Sequence, residues 1–387
     1  MTLRLRPIRN VPNDLIGNVP NRHYSYVSPP VKRTPREAGS DAVEAPTPSP
    51  AARRSRPPTI KDVAERAGVS KSLVSRVMRG EDAVSPRARG AVAAAAEELG
   101  YRPNAVARSL VQQRSYNVGV MVSDLHNLFF AEILDGIDEV AAACGYRMLI
   151  TTGNRVRDAE AEALETLLQL RADGVILLAP RLPFTAVARA GRSVPMAIVG
   201  SWMRVPGVDT VVNDDVRGAE LAVEHLVGLG HRRIGMVGGG EGAGAAERRT
   251  GYESAMRRLG LAGEIRVARG DFTEEGGYRG ARQLLECDPP PTAIFACNDL
   301  AAVGALNAIE EAGLEVPRTV SLVGYDNTAL ASLRHVSLTT IHQPRREIGQ
   351  VAMRALLRRI DRSESRARRV VLDPLLVDRD TTGPPGG

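Results

Sequence analysis

Four polar side chains have the types and the spacing to contact DNA. They are Lys71, Ser72, Ser75 and Arg76. In a helix that begins after Ser70, they lie on one face close to the N-terminus. Arginine can donate two hydrogen bonds to one guanine, while lysine and serine donate to base edges or to phosphates. The chemistry available to this face is therefore the reading of base edges in a DNA groove.

The flanking sequence predicts the helices that must position these side chains. Apolar residues recur at helical spacing over 60–67 and again over 73–78, and Gly68 separates the two runs. Thr59 and Ser70 precede the two runs and are typical N-cap residues. The apolar stripe of the second run faces inward, which leaves its polar face exposed. Two short helices joined by a glycine turn are typical of a helix-turn-helix unit.

A third helix and a short hinge complete this N-terminal region. Ser85 followed by Pro86 predicts a helix start, because proline lacks an N–H and fits the first turn. We assign residues 58–103 to a helix-turn-helix DNA-binding domain and residues 104–115 to a hinge helix. A helix this short is unstable alone. Its Leu110 is an apolar side chain suited to insertion into the minor groove of DNA.

Charge and composition favour a negatively charged partner. The formal net charge is +6, and the surplus of basic over acidic side chains lies within residues 1–115. A basic N-terminal region attracts the phosphates of DNA, and an acidic body is repelled by them. Residues 1–57 are rich in proline and arginine without any helical period, so we expect a disordered tail there.

Several classes of protein are excluded by features that the sequence lacks. No apolar run approaches the ~20 residues of a membrane span, and no signal peptide is recognisable. We therefore expect a cytoplasmic, nucleoid-associated protein with no membrane partner. Cys144, Cys287 and Cys297 are not clustered, and the histidines lack ligand spacing. We expect no metal, no cofactor and no catalytic residue.

From residue 116 the pattern changes to alternating strands and helices. Strands are predicted at 116–122, 146–151, 174–178, 194–199, 208–212, 233–237, 265–268, 293–296, 320–325 and 369–376. This alternation predicts parallel sheets with helices on both faces. The segment exceeds one comfortable core, so we expect an α/β body of two doubly wound lobes. The first should hold residues 116–213 and the C-terminal helix, and the second residues 214–343, with a ligand crevice between them.

Ordered motifs along the chain carry a family resemblance. They include Thr59-Ile60-Lys61-Asp62-Val63-Ala64, Val74-Ser75-Arg76-Val77, Gly100-Tyr101-Arg102-Pro103-Asn104, Ala107-Arg108-Ser109-Leu110, Cys297-Asn298-Asp299 and Val323-Gly324-Tyr325-Asp326. Through them the chain resembles the lactose repressor (LacI/GalR) family of bacterial transcription regulators. The resemblance implies that residues 116–387 form an effector-binding and dimerisation domain with the fold of periplasmic binding proteins. It also implies a repressor rather than an enzyme, which binds a near-palindromic double-stranded DNA operator as a homodimer under the control of a small-molecule effector.

The resemblance assigns roles to individual residues. Base reading falls on Lys71, Ser72 and Arg76, and DNA-backbone contacts fall on Thr59, Ser70, Ser75 and Asn104. The minor-groove positions of the hinge are Ala107 and Leu110. The effector-binding positions are Ser123, Asp124, Asn127, Phe129, Phe130, Trp202, Arg248, Asn298, Asp326 and Gln343. Aromatic faces beside directional hydrogen-bonding groups suit a sugar ring, so we expect a carbohydrate effector.

A nucleotide-dependent enzyme is one alternative interpretation of the body. Residues 238–243 form a glycine-rich stretch that follows a predicted strand and formally matches a dinucleotide fingerprint. Asp271, the next candidate acid, lies farther downstream than the ~20 residues expected for a ribose contact. A glycine-rich turn also suits any ligand crevice, so this stretch alone does not establish an enzyme.

A sugar receptor with a two-lobed body is the second alternative. Such a receptor requires export, and the sequence has neither a recognisable signal peptide nor another use for the N-terminal helices. The helix-turn-helix pattern therefore favours the regulator.

Overall fold

The computed structural model describes residue 56 and residues 58–78, 84–102, 114–361 and 366–386. The predicted tail up to residue 55 and most of the predicted hinge helix lie outside the described residues, as do Asn104, Ala107 and Leu110. The described residues form a helical N-terminal domain and a body with two sheets. Within these ranges, no helix has both the length and the apolar character needed to cross a bilayer.

Short helices packed around a few apolar side chains build the N-terminal domain. They are α1 (Ile60–Ala67), α2 (Lys71–Met78) and α3 (Pro86–Glu98). Each contributes one fully buried valine, namely Val63, Val74 and Val92. Ser70 and Ser85 cap α2 and α3, as predicted, and each accepts a hydrogen bond from the backbone N–H three residues later.

The body alternates strands and helices along the chain. In order, they are β1 (Asn117–Val122), α4 (Phe129–Ala143), β2 (Arg147–Thr152), α5 (Arg157–Gln169), β3 (Gly174–Leu178), α6 (Phe184–Ala190), β4 (Met196–Val199), β5 (Asp209–Asn213), α7 (Asp215–Gly228), β6 (Ile234–Val237), α8 (Ala245–Arg258), β7 (Arg266–Ala268), α9 (Glu274–Leu285), β8 (Ala293–Ala296), α10 (Asp299–Glu311), β9 (Ser321–Asp326), β10 (Thr339–His342), α11 (Arg345–Ile360), β11 (Arg369–Leu372) and β12 (Leu375–Val377). Two mainly parallel sheets with helices on both faces confirm the predicted fold class.

The first lobe contains a parallel sheet with the strand order β2-β1-β3-β4-β5-β11. Ile133 of α4 and Met353 of α11 are fully buried on one face, and Leu167 of α5 is fully buried on the other. Gly136 and Gly349 let α4 and α11 approach closely, because a Cβ on either would lie 2.1 Å from a backbone oxygen of the other helix. The C-terminal helix α11 is therefore part of the first lobe.

The second lobe contains a sheet with the strand order β7-β6-β8-β9-β10-β12. The strands are parallel except β12, which pairs antiparallel with β10. Tyr252 of α8 is fully buried on one face, and Leu284 of α9 and Ile309 of α10 are buried on the other. Both lobes thus place the carboxyl ends of their parallel strands at one edge, where α/β proteins bind ligands.

The chain crosses from one lobe to the other after β5, after β10 and after β11, where the next elements are α7, α11 and β12. The last passage corrects the predicted strand 369–376, which is two strands in different sheets. Pro374 follows β11, and a proline has no N–H for a strand ladder, so the strand ends there.

Strand β10 is absent from the sequence prediction. It is short, and its buried Thr339 and Thr340 break the apolar run by which a buried strand is recognised. Their hydroxyls are hydrogen-bonded inside the protein, and Thr340 Oγ1 donates to Asp299 at 2.6 Å. Buried threonines with satisfied hydroxyls therefore serve here as core residues.

Candidate functional site

A cleft opens between the two lobes. Its lining comes from residues at or just after the carboxyl ends of β1 to β5 in the first lobe and of β6, β7, β9 and β10 in the second. Sites for small molecules combine apolar walls with a few directed polar groups. The cleft therefore has the position and the kind of lining of a ligand site.

A buried ion-pair cluster lies on the second-lobe side of the cleft. Arg248 of α8 is only 5% exposed, and its Nε donates to Asp215 Oδ1 at 3.0 Å. Its Nη1 lies 3.6 Å from Asp326 Oδ1. The guanidinium also lies 3.8 Å from the centroid of the Tyr325 ring and 5.3 Å from that of Phe272. A buried cation needs such partners, and together they fix the orientation of Arg248.

The cluster changes the proton affinities of its members. Burial by itself lowers the pKa of Arg248, but the carboxylates of Asp215 and Asp326 outweigh this effect and raise it above its ordinary value. Burial also raises the pKa of Asp326 to about 8, against the opposing effect of Arg248. Arg248 is therefore always charged, whereas Asp326 exchanges its proton near neutral pH.

Asp326 is held in an unusual backbone conformation at the end of β9. Its φ of 112° is rare for a residue with a side chain, and Gln343 Nε2 donates to its Oδ1 at 2.7 Å. Next to it, Asp299 accepts hydrogen bonds of 2.6 Å from both Thr328 N and Thr340 Oγ1. Burial raises the pKa of Asp299 to about 6. The network fixes the carboxylate of Asp326 at the edge of the cleft.

A buried glutamate holds two loops on the first-lobe side of the cleft. Glu160 of α5 is 0% exposed, and it accepts hydrogen bonds from Ser123 Oγ at 3.2 Å and from Arg181 N at 2.7 Å. Burial raises its pKa, while the bond from the Arg181 backbone lowers it. Phe129 and Phe130 complete this side, with ring centroids 5.3 Å apart in an edge-to-face arrangement. Glu160 thus positions the loops that follow β1 and β3.

Direct hydrogen bonds join the lobes around the cleft. Arg155 Nη2, after β2, donates to the carbonyl of Asp271, after β7. Asn213 Nδ2, at the end of β5, donates to Tyr325 Oη in β9 at 3.1 Å. Arg345 bonds both a first-lobe carboxylate and a second-lobe carbonyl. A molecule bound in the cleft therefore lies among the contacts that set the lobe arrangement.

The polar face of α2 is accessible in the N-terminal domain. Lys71 and Ser72 are exposed, and Ser75 and Arg76 are half-buried. Fully buried Val74 anchors the opposite side of the helix. Thr59 directly precedes α1, and Ser70 Oγ lies 3.0 Å from Ser72 Oγ at the start of α2. The arrangement leaves the first turn of α2 free to approach a DNA groove.

The similarity of this chain to known proteins establishes its family. Residues 59–104 match the family model for bacterial regulatory proteins, lacI family, and residues 223–382 match that for a periplasmic binding protein-like domain. The transcriptional repressor CytR of Escherichia coli strain K12 is 37% identical over 327 residues, which cover 84% of this chain and 96% of that protein. The chain belongs to the lacI family.

Solved structures of other lacI-family proteins have the same fold. The lac repressor dimer bound to operator and the anti-inducer ONPF has a TM-score of 0.77 and 32% identity, covering 85% of this chain and 100% of that one. A lacI-family regulator from Enterococcus faecium with bound ribose has a TM-score of 0.63 and 28% identity, covering 69% and 99%. As a lacI-family member, this protein is a DNA-binding transcriptional regulator and not an enzyme.

The glycine-rich stretch 238–243 of this lacI-family protein has a packing explanation. A Cβ on Gly239 or Gly242 would lie 2.5 or 2.2 Å from the ring of Phe272. Gly240 has a φ of 62°, a conformation that glycine adopts without strain. The loop therefore needs glycine to accommodate an aromatic ring beside the cleft, and the dinucleotide interpretation is unnecessary.

Most of the predicted effector positions meet in the cleft of this lacI-family protein. Its lining includes Ser123, Asp124, Asn127, Phe129, Phe130, Arg248, Asp326 and Gln343. Trp202 and Asn298 are not part of the lining. The guanidinium of Arg369 lies 4.9 Å from the Trp202 ring centroid. Asn298 caps α10 by accepting a hydrogen bond from Ala301 N at 2.9 Å.

Five polar or aromatic lining residues were missed by the sequence reasoning. They are Arg155, Arg181, Asn213, Asp215 and Phe272. Each stands at or shortly after the carboxyl end of a strand. That position is the signal that could have found them, because parallel strands bring these ends to one edge.

Proposed function

We propose that this lacI-family regulator is a cytoplasmic, nucleoid-associated repressor whose operator affinity is controlled by a small sugar-type effector. Two chains bind a near-palindromic operator as a homodimer, and the effector occupies the cleft between the lobes. A single N-terminal domain offers few base contacts, and two domains related by symmetry provide two half-site contacts.

The observation that carries this proposal is the composition of the cleft lining. Asn213, Asp215 and Gln343 line the cleft and stand at two of the passages between the lobes. A molecule in the cleft therefore contacts both lobes and the segments about which they move. It can stabilise one lobe arrangement over another, and its differential affinity for the two arrangements sets the size of the response.

The chemistry of the cleft supports a polyhydroxylated effector. Asp124, Asn127 and Gln343 supply directional donors and acceptors, and Phe129 and Phe130 supply apolar faces. Sugar rings have one face of C–H groups and a rim of hydroxyls, so both kinds of group find a partner.

The DNA contacts follow from the N-terminal domain. In the proposal, Lys71, Ser72 and Arg76 contact base edges and Thr59, Ser70, Ser75 and Asn104 contact the DNA backbone. Residues 104–115 act as a hinge helix on DNA, with Ala107 and Leu110 in the minor groove. An effector that changes the lobe arrangement changes the spacing of the two hinges, and thereby the operator affinity.

The test is a random-oligonucleotide selection with the purified full-length protein, followed by a thermal-shift screen of sugars. We expect the selected duplexes to share a near-palindrome. We also expect at least one sugar that raises the melting temperature to change the Kd for that duplex about fivefold or more. A lack of sequence preference at moderate ionic strength, with and without each sugar, would refute the proposal.

A further inference from the structure

The arginines of the cleft differ in how their charge is balanced. Arg155, Arg181 and Arg248 all line the cleft. The guanidinium of Arg248 forms ion pairs with two carboxyl groups, those of Asp215 and Asp326. Among the residues that the structure describes, the guanidiniums of Arg155 and Arg181 form no ion pair with a carboxylate. The first-lobe side of the cleft thus holds two guanidiniums that no carboxylate contacts directly, although Glu160 and Asp271 interact with them electrostatically.

Backbone hydrogen bonds fix both arginines in their loops. Arg155 N donates to the carbonyl of Ser123 at 2.8 Å, and Arg181 N donates to Glu160 Oε2 at 2.7 Å. The loops follow β2 and β3, which flank β1 on its two sides. The backbones of the two arginines are therefore held on either side of the loop that contains Ser123 and Asp124, and both side chains line the cleft.

The acidic groups near these arginines accept hydrogen bonds from other groups. Glu160 is fully buried and bonds the Arg181 backbone and the Ser123 hydroxyl. Asp124 Oδ1 accepts from His126 N at 2.9 Å. The carboxylate of Asp271 bonds Thr273, while Arg155 bonds the carbonyl of that residue.

The donor groups of the two guanidiniums suit an anionic group. A guanidinium is a planar fork of N–H donors that can form two parallel hydrogen bonds to a phosphate or a carboxylate. Arg155 donates from one nitrogen to the carbonyl of Asp271, and the Arg181 side chain donates to no residue that the structure describes. Both arginines therefore retain donors for a ligand.

We propose that the natural effector carries an anionic group, a phosphate or a carboxylate, which binds between Arg155 and Arg181. The inference rests on the proposed effector function and specifies its chemical class. The polyhydroxylated part contacts Phe129 and Gln343, and the anionic part contacts the two guanidiniums. Because Arg155 also bonds the second lobe, the anion binds at a point where the lobes meet.

The experiment measures binding of matched probes to the full-length protein by calorimetry. The probes are ribose against ribose 5-phosphate, glucose against glucose 6-phosphate, and glucose against gluconate, so that the phosphate and carboxylate sources are separated. In at least one pair, we expect the anionic member to bind about tenfold tighter or more, as one or two charge-assisted hydrogen bonds provide. Raising the salt concentration should weaken the anionic member and leave the neutral one unchanged.

Substitution of Arg181 links the preference to this site. The Arg181 side chain makes no hydrogen bond with the described residues, so Arg181→Ala should fold normally. We expect it to reduce the preference for the anionic member to about threefold or less, and Arg181→Lys to keep part of that preference. The matched control, Arg192→Ala, removes an exposed arginine outside the cleft and should keep the full preference.

Two results would overturn the inference and are distinguishable. If neutral sugars bind as tightly as their anionic partners, or if Arg181→Ala keeps the full preference, the anionic subsite is wrong while the effector cleft stands. If no member of any pair binds, and none alters operator affinity, both this inference and the sugar-type effector are wrong.

Discussion

Arg248 Nε lies 3.0 Å from Asp215 Oδ1, with both side chains more than nine-tenths buried. Removal of one partner from a buried ion pair leaves an uncompensated charge, which costs about 3–5 kcal/mol. We therefore expect Arg248→Ala to lower the free energy of unfolding by about that amount, besides abolishing the effector response. Chemical unfolding of the purified variant measures the first effect, and operator binding with effector measures the second.

A double variant separates these two roles of Arg248. Arg248→Met with Asp215→Asn replaces the ion pair by neutral groups of similar size, so it should regain part of the lost stability. It should nonetheless remain unresponsive to the effector, because the directional cation is gone. An Arg248→Ala protein as stable as the wild type would show that the pair contributes nothing to the fold.

Asn298 caps a helix and is not part of the cleft lining. Its variants should therefore change stability more than ligand affinity. Its side chain caps α10, and loss of such a cap costs about 1 kcal/mol. Asn298→Ala should therefore lower the free energy of unfolding by about 1 kcal/mol, whereas Asn298→Ser retains a capping oxygen and should lose less. Both should bind the effector within about threefold of the wild type. A large loss of affinity in Asn298→Ser at unchanged stability would place Asn298 in contact with the ligand.

The fold was predictable because the strands of the body have the simplest sequence signal. Strand β3, for example, is a continuous buried apolar run that lies between Asp173 and Pro180. The signal fails for β10, where Thr339 and Thr340 are buried polar residues whose partners come from distant segments. Local pattern cannot reveal such a strand, because long-range hydrogen bonds make its burial favourable.

The site was predicted only where family motifs marked it. Arg155 and Arg181 lie in loops without a motif, and only the strand order β2-β1-β3 brings them to one cleft. Trp202 was assigned by resemblance; its ring centroid lies 4.9 Å from the guanidinium of Arg369, and it is not part of the lining. Which side chain faces a cleft depends on tertiary contacts that a sequence pattern does not contain.

Titration of Asp326 should be visible in the pH dependence of stability. In the folded protein, burial raises its pKa to about 8, whereas an unfolded aspartate has a pKa of about 4. Between these values the folded state keeps a proton that the unfolded state releases, so the contribution of Asp326 to stability is lost as the pH rises towards 8. Asp326→Asn cannot titrate. The stability of the wild type relative to this variant should therefore fall by about 1 kcal/mol per pH unit between about pH 5 and pH 8 and then level off.

Unfolding of both proteins in urea across this pH range tests the expectation. The comparison cancels the titration of shared groups that do not interact with Asp326, but not that of Asp299, whose charge raises the pKa of Asp326. A difference that stays constant from acid to alkaline pH would mean that Asp326 is ionised throughout.

Arg76 of α2 should determine which sequence is bound, and not how strongly DNA is bound in general. A bidentate contact from arginine to guanine contributes about 1–3 kcal/mol of discrimination. Arg76→Ala should therefore weaken binding to the selected operator by about that amount and change binding to a scrambled duplex only slightly, by the loss of one charge. Its matched control is Arg87→Ala, which removes an exposed arginine from the first turn of α3 and should retain the operator preference. Measurement of Kd for both duplexes at one salt concentration gives the ratio for each protein. If Arg76→Ala keeps the wild-type ratio, the base-reading role belongs to other residues of the N-terminal domain.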